Sequence, residues 1–172
     1  SAVIKNRAMF SARGAGILGF SMFARDKLYA LDENMQLDVD GLTAFLDKHQ
    51  GEDIFLFGFA FMIWQHFIDQ LKKTGYQPDL SRGILVHGGG WKKLADQNIS
   101  TEQFKAALNE TCGLTRVHNY YGMVEQTGTV YMECECGHLH APVWSDITIR
   151  RPDDFSVAGV GETGLIQVSS LL

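Results

Sequence analysis

The chain has 172 residues, of which 45% are hydrophobic and 20% are charged, and its formal net charge is -5. This length and composition are those of one globular domain, or most of one, with enough residues to bury a core. The negative net charge, without a basic run interleaved with aromatic residues, argues against a nucleic-acid-binding protein.

The most apolar run, residues 54–63, has the sequence IFLFGFAFMI. A bilayer span needs about 20 apolar residues, so we predict that no segment crosses a membrane. The chain has three cysteines, and its first residues do not resemble a signal peptide, so we expect free or metal-bound thiols in the reducing cytoplasm. It opens without a turn or helix-start signal and ends in an apolar run, so we expect a fragment of a longer protein.

Two elements are predicted before residue 50. Residues 1–31 contain three glycines but lack the lysine-serine ending of a phosphate-binding loop. We interpret them as a flexible connection that leads into a short strand at 27–31. Asp38 or Asp40 is then expected to cap a helix that runs to about His49, with its apolar residues on one face.

Strands and helices alternate after that helix, which is typical of an α/β fold with a parallel sheet. The predicted elements are a strand at 53–58, a helix at 59–73, a strand from Gly83, a helix at 101–111 with a capping box at Ser100 and Gln103, and a strand at 117–120. After residue 128, short β segments separated by glycine, proline and aspartate predict a small antiparallel sheet or partial barrel. We therefore divide the chain into an α/β nucleotide-binding core, 1–128, and a β-rich segment, 129–172.

The strand from Gly83 runs into three consecutive glycines, Gly88, Gly89 and Gly90. Ligands of open α/β sheets bind beyond the carboxyl ends of the strands. Glycines at such an end expose backbone groups without side chains, so a flat ring such as a purine base could lie directly on them. A tight turn alone would need one glycine, so we expect this run to line a ligand site.

A second cluster, HNYYGMVEQT at residues 118–127, accompanies the next predicted strand. Tyr121 could stack on a planar base, Gly122 could form the turn, and Glu125 and Thr127 could face bound phosphate. Because a carboxylate repels polyphosphate, Glu125 would act through Mg²⁺, which prefers oxygen ligands. A surface turn with an exposed glutamate is the alternative that these residues leave open.

Cysteine and histidine alternate in the segment CECGHLH, residues 134–140. All four side chains are good zinc ligands, and alternate residues of a strand share a face. The spacing differs from the usual CxxC pair, so a hairpin with buried thiols stays an alternative, as do a redox pair and a nucleophilic Cys136. The candidate zinc ligands are Cys134, Cys136, His138 and His140.

Three segments in this order, HGGGWKKL, NYYGMVEQTG and GETGLIQV, resemble the motifs of the adenylate-forming superfamily of acyl-CoA synthetases, adenylation domains and luciferases. Asn119, Tyr121, Gly122 and Glu125 match its N-x-Y-G-x-x-E motif. The segments FGFAFMIWQ, GGGWK and HAPVW look more closely like the acyl-protein synthetase family, which includes the synthetase of the bacterial luminescence fatty acid reductase complex. Phenylacetate-CoA ligases look like more distant relatives. The similarity covers about residues 10–172.

The resemblance implies part of a three-layer, parallel-sheet core followed by short antiparallel β segments. It also implies a two-step ligase. A fatty or other carboxylic acid attacks the α-phosphate of ATP to give an acyl-adenylate, and a thiol then takes the acyl group. The implied acceptor is a protein cysteine or coenzyme A, and an acyl-CoA reductase is the implied partner. An aryl- or acyl-CoA ligase is one alternative, and a non-catalytic, zinc-stabilised binding module is an alternative of another class.

The resemblance also implies roles for individual residues. Glu125 would be the catalytic residue that holds Mg²⁺, and Tyr121 would stack on adenine. The phosphate loop, ribose-binding aspartate and C-terminal lysine domain of the superfamily are not found in the 172 residues, so we expect the parent protein to be an enzyme and this fragment alone to be inactive. The implied ATP-binding residues are Gly88, Gly89, Gly90, Trp91, Asn119, Tyr120, Tyr121, Gly122, Met123 and Thr127.

Overall fold

The structure is a computed structural model that describes residues 12–89, 99–123 and 128–171. The chain divides into two compact units, an N-terminal unit, Ser1–Val117, and a C-terminal unit, His118–Leu172. The division by sequence character after residue 128 stays a prediction. Among the described residues, no helix combines the length and the apolarity that crossing a bilayer requires.

The first described element is a helix, α1, at Ala12–Ser21, so the prediction of a flexible connection is wrong there. Glycines weaken a helix in isolation, but tertiary packing can override that cost. Phe20 supplies such packing, because its ring stacks on Phe57 with centroids 4.4 Å apart. The predicted strand at 27–31 is also wrong, since only Leu31 pairs, in an isolated bridge to Leu37.

Helix α2, Val39–Lys48, begins where the sequence predicts it. Asp38 is the N-cap, and its Oδ1 accepts a hydrogen bond of 2.9 Å from the backbone N–H of Gly41. The cap satisfies one of the backbone donors that a helix start leaves without an intrahelical partner. The predicted cap and helix are confirmed.

His49, directly after α2, connects two acidic side chains. Its Nε2 lies 3.0 Å from Asp26 Oδ2, and its Nδ1 lies 3.2 Å from Glu52 Oε2. Lys48 also contacts Asp26, with its Nζ 2.6 Å from Oδ2. The hydrogen bonds with Asp26 and then Glu52 raise the pKa of His49, whereas those from Lys48 and His49 lower the pKa of Asp26.

We expect His49 to make folding stability depend on pH. A histidine whose pKa is raised on folding contributes stability that is complete below its unfolded pKa of about 6.5 and is lost as pH rises through the folded value. The difference in urea midpoint between the wild type and His49→Gln should therefore be largest at about pH 5.5 and should shrink toward pH 8.5. Denaturation series across this range measure it, and an equal difference at every pH would contradict the prediction.

Strands β1, Ile54–Phe59, and β2, Gly83–Gly88, form a parallel pair. A helical segment, α3, connects them over residues 60–74 and includes a π-helical turn at Ile63–Ile68. The predicted helix is confirmed, but the π-helical turn was not predicted. Helix α4, Thr101–Cys112, follows with the predicted capping box of Ser100 and Gln103.

The core of the N-terminal unit lies among α2, α3, β2, α4 and the start of the next strand. Phe104, Leu108 and Ile68 are fully buried within it. Each fully buried side chain of this size stabilises the fold by about 1.5–3 kcal/mol relative to exposure. Its buried members are Leu42, Phe67, Ile68, Leu71, Leu80, Leu85, Phe104, Ala107, Leu108, Cys112, Leu114 and Val117.

The remaining strands are β3, Arg116–Tyr121, β4, Tyr131–Glu133, β5, Leu139–His140, β6, Ser145–Arg150, and β7, Leu165–Ser170. Strands β3, β4 and β5 pair antiparallel in succession, as do β6 and β7. The strand order of the larger sheet is β1-β2-β3-β4-β5, and β6 and β7 form a separate sheet. The predicted α/β class and the late antiparallel segments are confirmed.

The loop between β6 and β7 is closed by an ion pair. Arg151 Nε and Nη2 each donate a hydrogen bond of 2.7 Å to the carboxylate of Glu162. Glu162 also accepts the backbone N–H of Gly159 at 2.8 Å. A Cβ on Gly164 would overlap the carbonyl oxygen of Arg150, so the start of β7 requires a glycine. Within the GETG segment, Glu162 therefore closes the loop and Gly164 allows the close approach of the two strands.

Candidate functional site

Strand β2 ends in a buried glycine, Gly88, which is followed by an exposed glycine, Gly89. Gly88 is the last residue of β2 and pairs with Phe59, the last residue of β1. Gly89 follows with a φ of 86°, a conformation that other residues adopt only with strain. A Cβ on Gly89 would lie 3.0 Å from Phe59 Cδ1. Both the conformation and the contact favour glycine at this position.

Two residues of the predicted glycine cluster, Gly90 and Trp91, lie outside the described residues. The structure describes the other two glycines at the carboxyl edge of the parallel strands β1 and β2, where Gly88 is buried and Gly89 is exposed. This is the edge at which open α/β sheets bind their ligands.

Beneath this edge lies His87, which the sequence analysis did not single out. Its side chain is buried, and its ring meets that of Phe104 edge-on, with centroids 5.1 Å apart and planes at 64°. His87 thereby joins the end of β2 to helix α4. The sequence signal that could have identified His87 is a histidine directly after the apolar strand residues Ile-Leu-Val.

Tyr121, the last residue of β3, presents its ring to solvent. Its exposed fraction is 45%, and its ring lies 6.2 Å from that of Tyr131, which is 2% exposed. The two tyrosines are direct partners in the β3–β4 pairing. A buried tyrosine thus supports one side of the Tyr121 ring, while the exposed part is available to stack on a planar ligand.

The other residues of the tyrosine cluster occupy different positions. Tyr120 points to the opposite face from Tyr121, because neighbouring strand residues alternate, and burial raises the pKa of its hydroxyl. The structure therefore does not bring the two tyrosines onto one face. Gly122 and Met123 follow β3, whereas Glu125 and Thr127 lie outside the described residues.

Glu133 fixes the part of β3 that carries Asn119. Its Oε2 accepts a hydrogen bond of 2.7 Å from the backbone N–H of Asn119. Its backbone oxygen lies 3.1 Å from Nδ1 of His118. Glu133 was not predicted as part of this region, because the contact depends on the pairing of β3 with β4.

The CECGHLH segment forms the β4–β5 hairpin. The backbone N–H of Cys134 donates to the oxygen of His138 at 2.9 Å, and the N–H of Gly137 donates to the oxygen of Cys134 at 3.0 Å. Gly137 has a φ of 79°. Backbone donors of His138, the side chain of His140 and a backbone donor of Cys136 lower the pKa of the Cys134 thiol to about 7.

The predicted zinc ligands are all in the described part of the chain. Within residues 12–89, 99–123 and 128–171, no three or more cysteine, histidine, aspartate or glutamate side chains are arranged to hold a metal ion. Zinc binding by Cys134, Cys136, His138 and His140 stays a prediction.

The acyl-protein synthetase family, LuxE, has a family model that matches residues 5–172. The chain belongs to the acyl-protein synthetase family. A comparison with curated proteins found no significant match.

Solved structures similar to this acyl-protein synthetase chain include a CoA ligase and MatB. A long-chain-fatty-acid-CoA ligase (FadD1) from Archaeoglobus fulgidus has a TM-score of 0.55 and 16% identity, covering 76% of this chain and 27% of that chain. MatB from Rhodopseudomonas palustris has a TM-score of 0.52 in its apo form, with 14% identity, covering 75% of this chain and 24% of that chain. Its ATP-bound form has a TM-score of 0.50 with the same identity and coverage.

At these identities the likeness establishes the fold. The acyl-protein synthetase chain has the α/β fold of the adenylate-forming superfamily, as its motifs predict. It spans about a quarter of the length of each of these proteins.

Proposed function

We propose that the full-length protein uses ATP to activate a carboxylic acid as an acyl-adenylate and then passes the acyl group to a thiol. The observation that carries the proposal is the exposed Gly89, with its positive φ, at the carboxyl end of β2, in a chain that belongs to the acyl-protein synthetase family. The ATP-bound MatB structure, which has the same fold, supports ATP as the nucleotide.

The nucleotide base would lie on the backbone of Gly88 and Gly89. Since neither residue has a side chain, a flat ring can approach the backbone closely and use its N–H and C=O groups. The exposed side of the Tyr121 ring would stack on adenine, as the family resemblance implies. Gly90, Trp91, Asn119, Tyr120, Gly122, Met123 and Thr127 complete the set of residues proposed to line the ATP and acyl site.

Glu125 would hold Mg²⁺ against the phosphates. The ion would offset their negative charge while the carboxylate of the acid attacks the α-phosphorus and pyrophosphate leaves. No step in this proposal assigns a proton transfer to Glu125, because its role is to bind the ion.

The identity of the acid and of the acceptor belongs to the proposal as well. The family description supports a protein thiol as acceptor, and the long-chain-fatty-acid-CoA ligase with the same fold supports a fatty acid. Coenzyme A is the alternative acceptor, which would make the enzyme an acyl-CoA ligase. An acyl-CoA reductase as partner and a cytoplasmic location complete the proposal, the latter supported by the free thiols of Cys112, Cys134 and Cys136.

The test uses the full-length protein, since this chain covers about a quarter of the similar ligases. ATP with Mg²⁺ at about 100 times its dissociation constant should stabilise the protein by about 2.7 kcal/mol, visible as a rise in Tm of several degrees. ATP with a chelator should give a smaller rise. ATP–pyrophosphate exchange should require an added carboxylic acid, with long-chain fatty acids the most active of a panel. Absence of both the Tm rise and acid-dependent exchange would refute the proposal.

A further inference from the structure

Phenylalanine residues line one face of strand β1. Phe55, Phe57 and Phe59 alternate along the strand, so their side chains lie on the same face of the sheet. The rings of Phe57 and Phe59 meet edge-on, with centroids 5.8 Å apart and planes at 76°. Phe20 of helix α1 packs on this phenylalanine row, because its ring centroid lies 4.4 Å from that of Phe57 and 5.7 Å from that of Phe55. The row ends at the carboxyl edge of the sheet with Phe59, the last residue of β1.

The partner of Phe59 on strand β2 is a glycine. Phe59 pairs with Gly88, which has no side chain to fill the space beside the phenylalanine ring. The ring instead reaches the next residue of the chain, where a Cβ on Gly89 would lie 3.0 Å from Phe59 Cδ1, 3.7 Å from its Cβ and 3.8 Å from its Cγ. The side chain of Phe59 therefore stands against one side of the Gly89 backbone.

This contact restricts the backbone of Gly89. Glycine adopts positive and negative φ with similar ease, so an exposed glycine after a strand end can sample several conformations. A ligand that requires one of these conformations loses affinity by ordering the residue. Gly89 has a φ of 86°, and the Phe59 ring occupies the side at which a Cβ would stand. The ring thus limits the movement of this backbone before a ligand binds.

We propose that Phe59 is a positioning residue of the nucleotide site, whose ring holds the Gly89 backbone in the conformation that receives the base. The inference rests on the proposed function, in which the base lies on Gly88 and Gly89. Phe59 acts through the backbone of Gly89 and not by contact with the reacting atoms. Its contribution is to nucleotide binding, because the α-phosphorus that the acid attacks belongs to the phosphate chain and not to the base.

The test compares Phe59→Leu with Phe55→Leu in the full-length protein. Both variants replace a phenylalanine of the same row with leucine, but Phe55 lies four residues before Phe59 and is 48% exposed. Acid-dependent ATP–pyrophosphate exchange at varied ATP and acid concentrations gives kcat and both KM values. Phe59→Leu should raise the KM for ATP about fivefold and leave kcat and the KM for the acid within about twofold of the wild type. Phe55→Leu should leave all three values unchanged.

This pattern separates positioning from a merely structural role. A variant that is only less stable contains less active enzyme, which lowers kcat and leaves the KM for ATP unchanged. Phe59→Tyr retains the ring and should therefore retain the wild-type KM for ATP. Thermal unfolding shows whether each variant is folded. If Phe59→Leu does not fold, Phe59→Met makes the same comparison, because it has a similar volume without a rigid ring.

Failure of this inference can be told apart from failure of the proposed function. A wild type that shows neither the rise in Tm with ATP nor acid-dependent exchange would refute the proposed function, and this inference with it. A wild type that uses ATP, together with an unchanged KM for ATP in Phe59→Leu, would overturn the inference alone. An equal rise in the KM for ATP in Phe55→Leu would also overturn it, because the effect would then belong to the whole row.

Discussion

Replacing Glu125 with alanine in the full-length protein is expected to lower acyl-adenylate formation at least about 100-fold. Without the carboxylate, Mg²⁺ would be held only by the phosphates, so charge on the α-phosphate would be offset less well in the transition state. Acid-dependent ATP–pyrophosphate exchange, measured over a range of Mg²⁺ concentrations, would report the loss. Raising the Mg²⁺ concentration should restore part of the activity, which a purely structural role of Glu125 would not predict.

Glu110→Ala is the matched control for this experiment. Glu110 is an exposed carboxylate in α4, so its removal changes the net charge equally without touching the proposed site. Thermal unfolding of both variants would show whether the fold is preserved. Exchange activity that is the same in Glu125→Ala and Glu110→Ala would exclude the proposed role of Glu125.

Gly89→Ala is expected to combine a loss of stability with a loss of nucleotide binding. Gly51 offers the comparison, because its φ of 83° is close to the 86° of Gly89 and a Cβ there would meet nothing within 4 Å. Alanine at either position carries the strain of a positive φ, about 1–2 kcal/mol. Gly89→Ala must in addition displace the ring of Phe59, which adds about 1 kcal/mol.

Urea denaturation of the two variants measures the difference in stability, and ATP titration of the full-length protein measures the difference in binding. A methyl group on Gly89 would also separate the nucleotide base from the backbone. We therefore expect the dissociation constant for ATP to rise at least about tenfold, which is a loss of about 1.4 kcal/mol of binding free energy. Gly51→Ala should bind ATP as the wild type does. Equal binding by both variants would show that the base does not lie on Gly89.

Local signals in the sequence predicted those elements that local interactions stabilise. The cap at Asp38 and the capping box at Ser100 each depend on residues three positions apart, so the helices α2 and α4 could be predicted with their starting points. Helix α1 was missed because its glycines predict a flexible segment. The contact that opposes this tendency, Phe20 with Phe57, joins residues far apart in the sequence.

The same distinction applies to the candidate site. Glycines at a strand end and a tyrosine after the next strand could be selected from motifs. The positive φ of Gly89, its approach to Phe59 and the alternation that separates Tyr120 from Tyr121 needed backbone geometry. The hydrogen bond from Asn119 to Glu133 depends on which residues of β3 and β4 are paired. This strand register could not be predicted from the sequence.

The π-helical turn at Ile63–Ile68 affects how the length of this chain can vary between related proteins. Deleting one residue from a regular α-helix rotates everything beyond it by about 100°, so buried side chains turn toward water. A π-helical turn contains one residue more than an α-helical turn, and losing that residue gives an uninterrupted α-helix in which Leu71 still faces the core. Relatives one residue shorter at this point can therefore retain the same core, whereas the same deletion within Thr101–Cys112 would misalign Phe104 with Leu108.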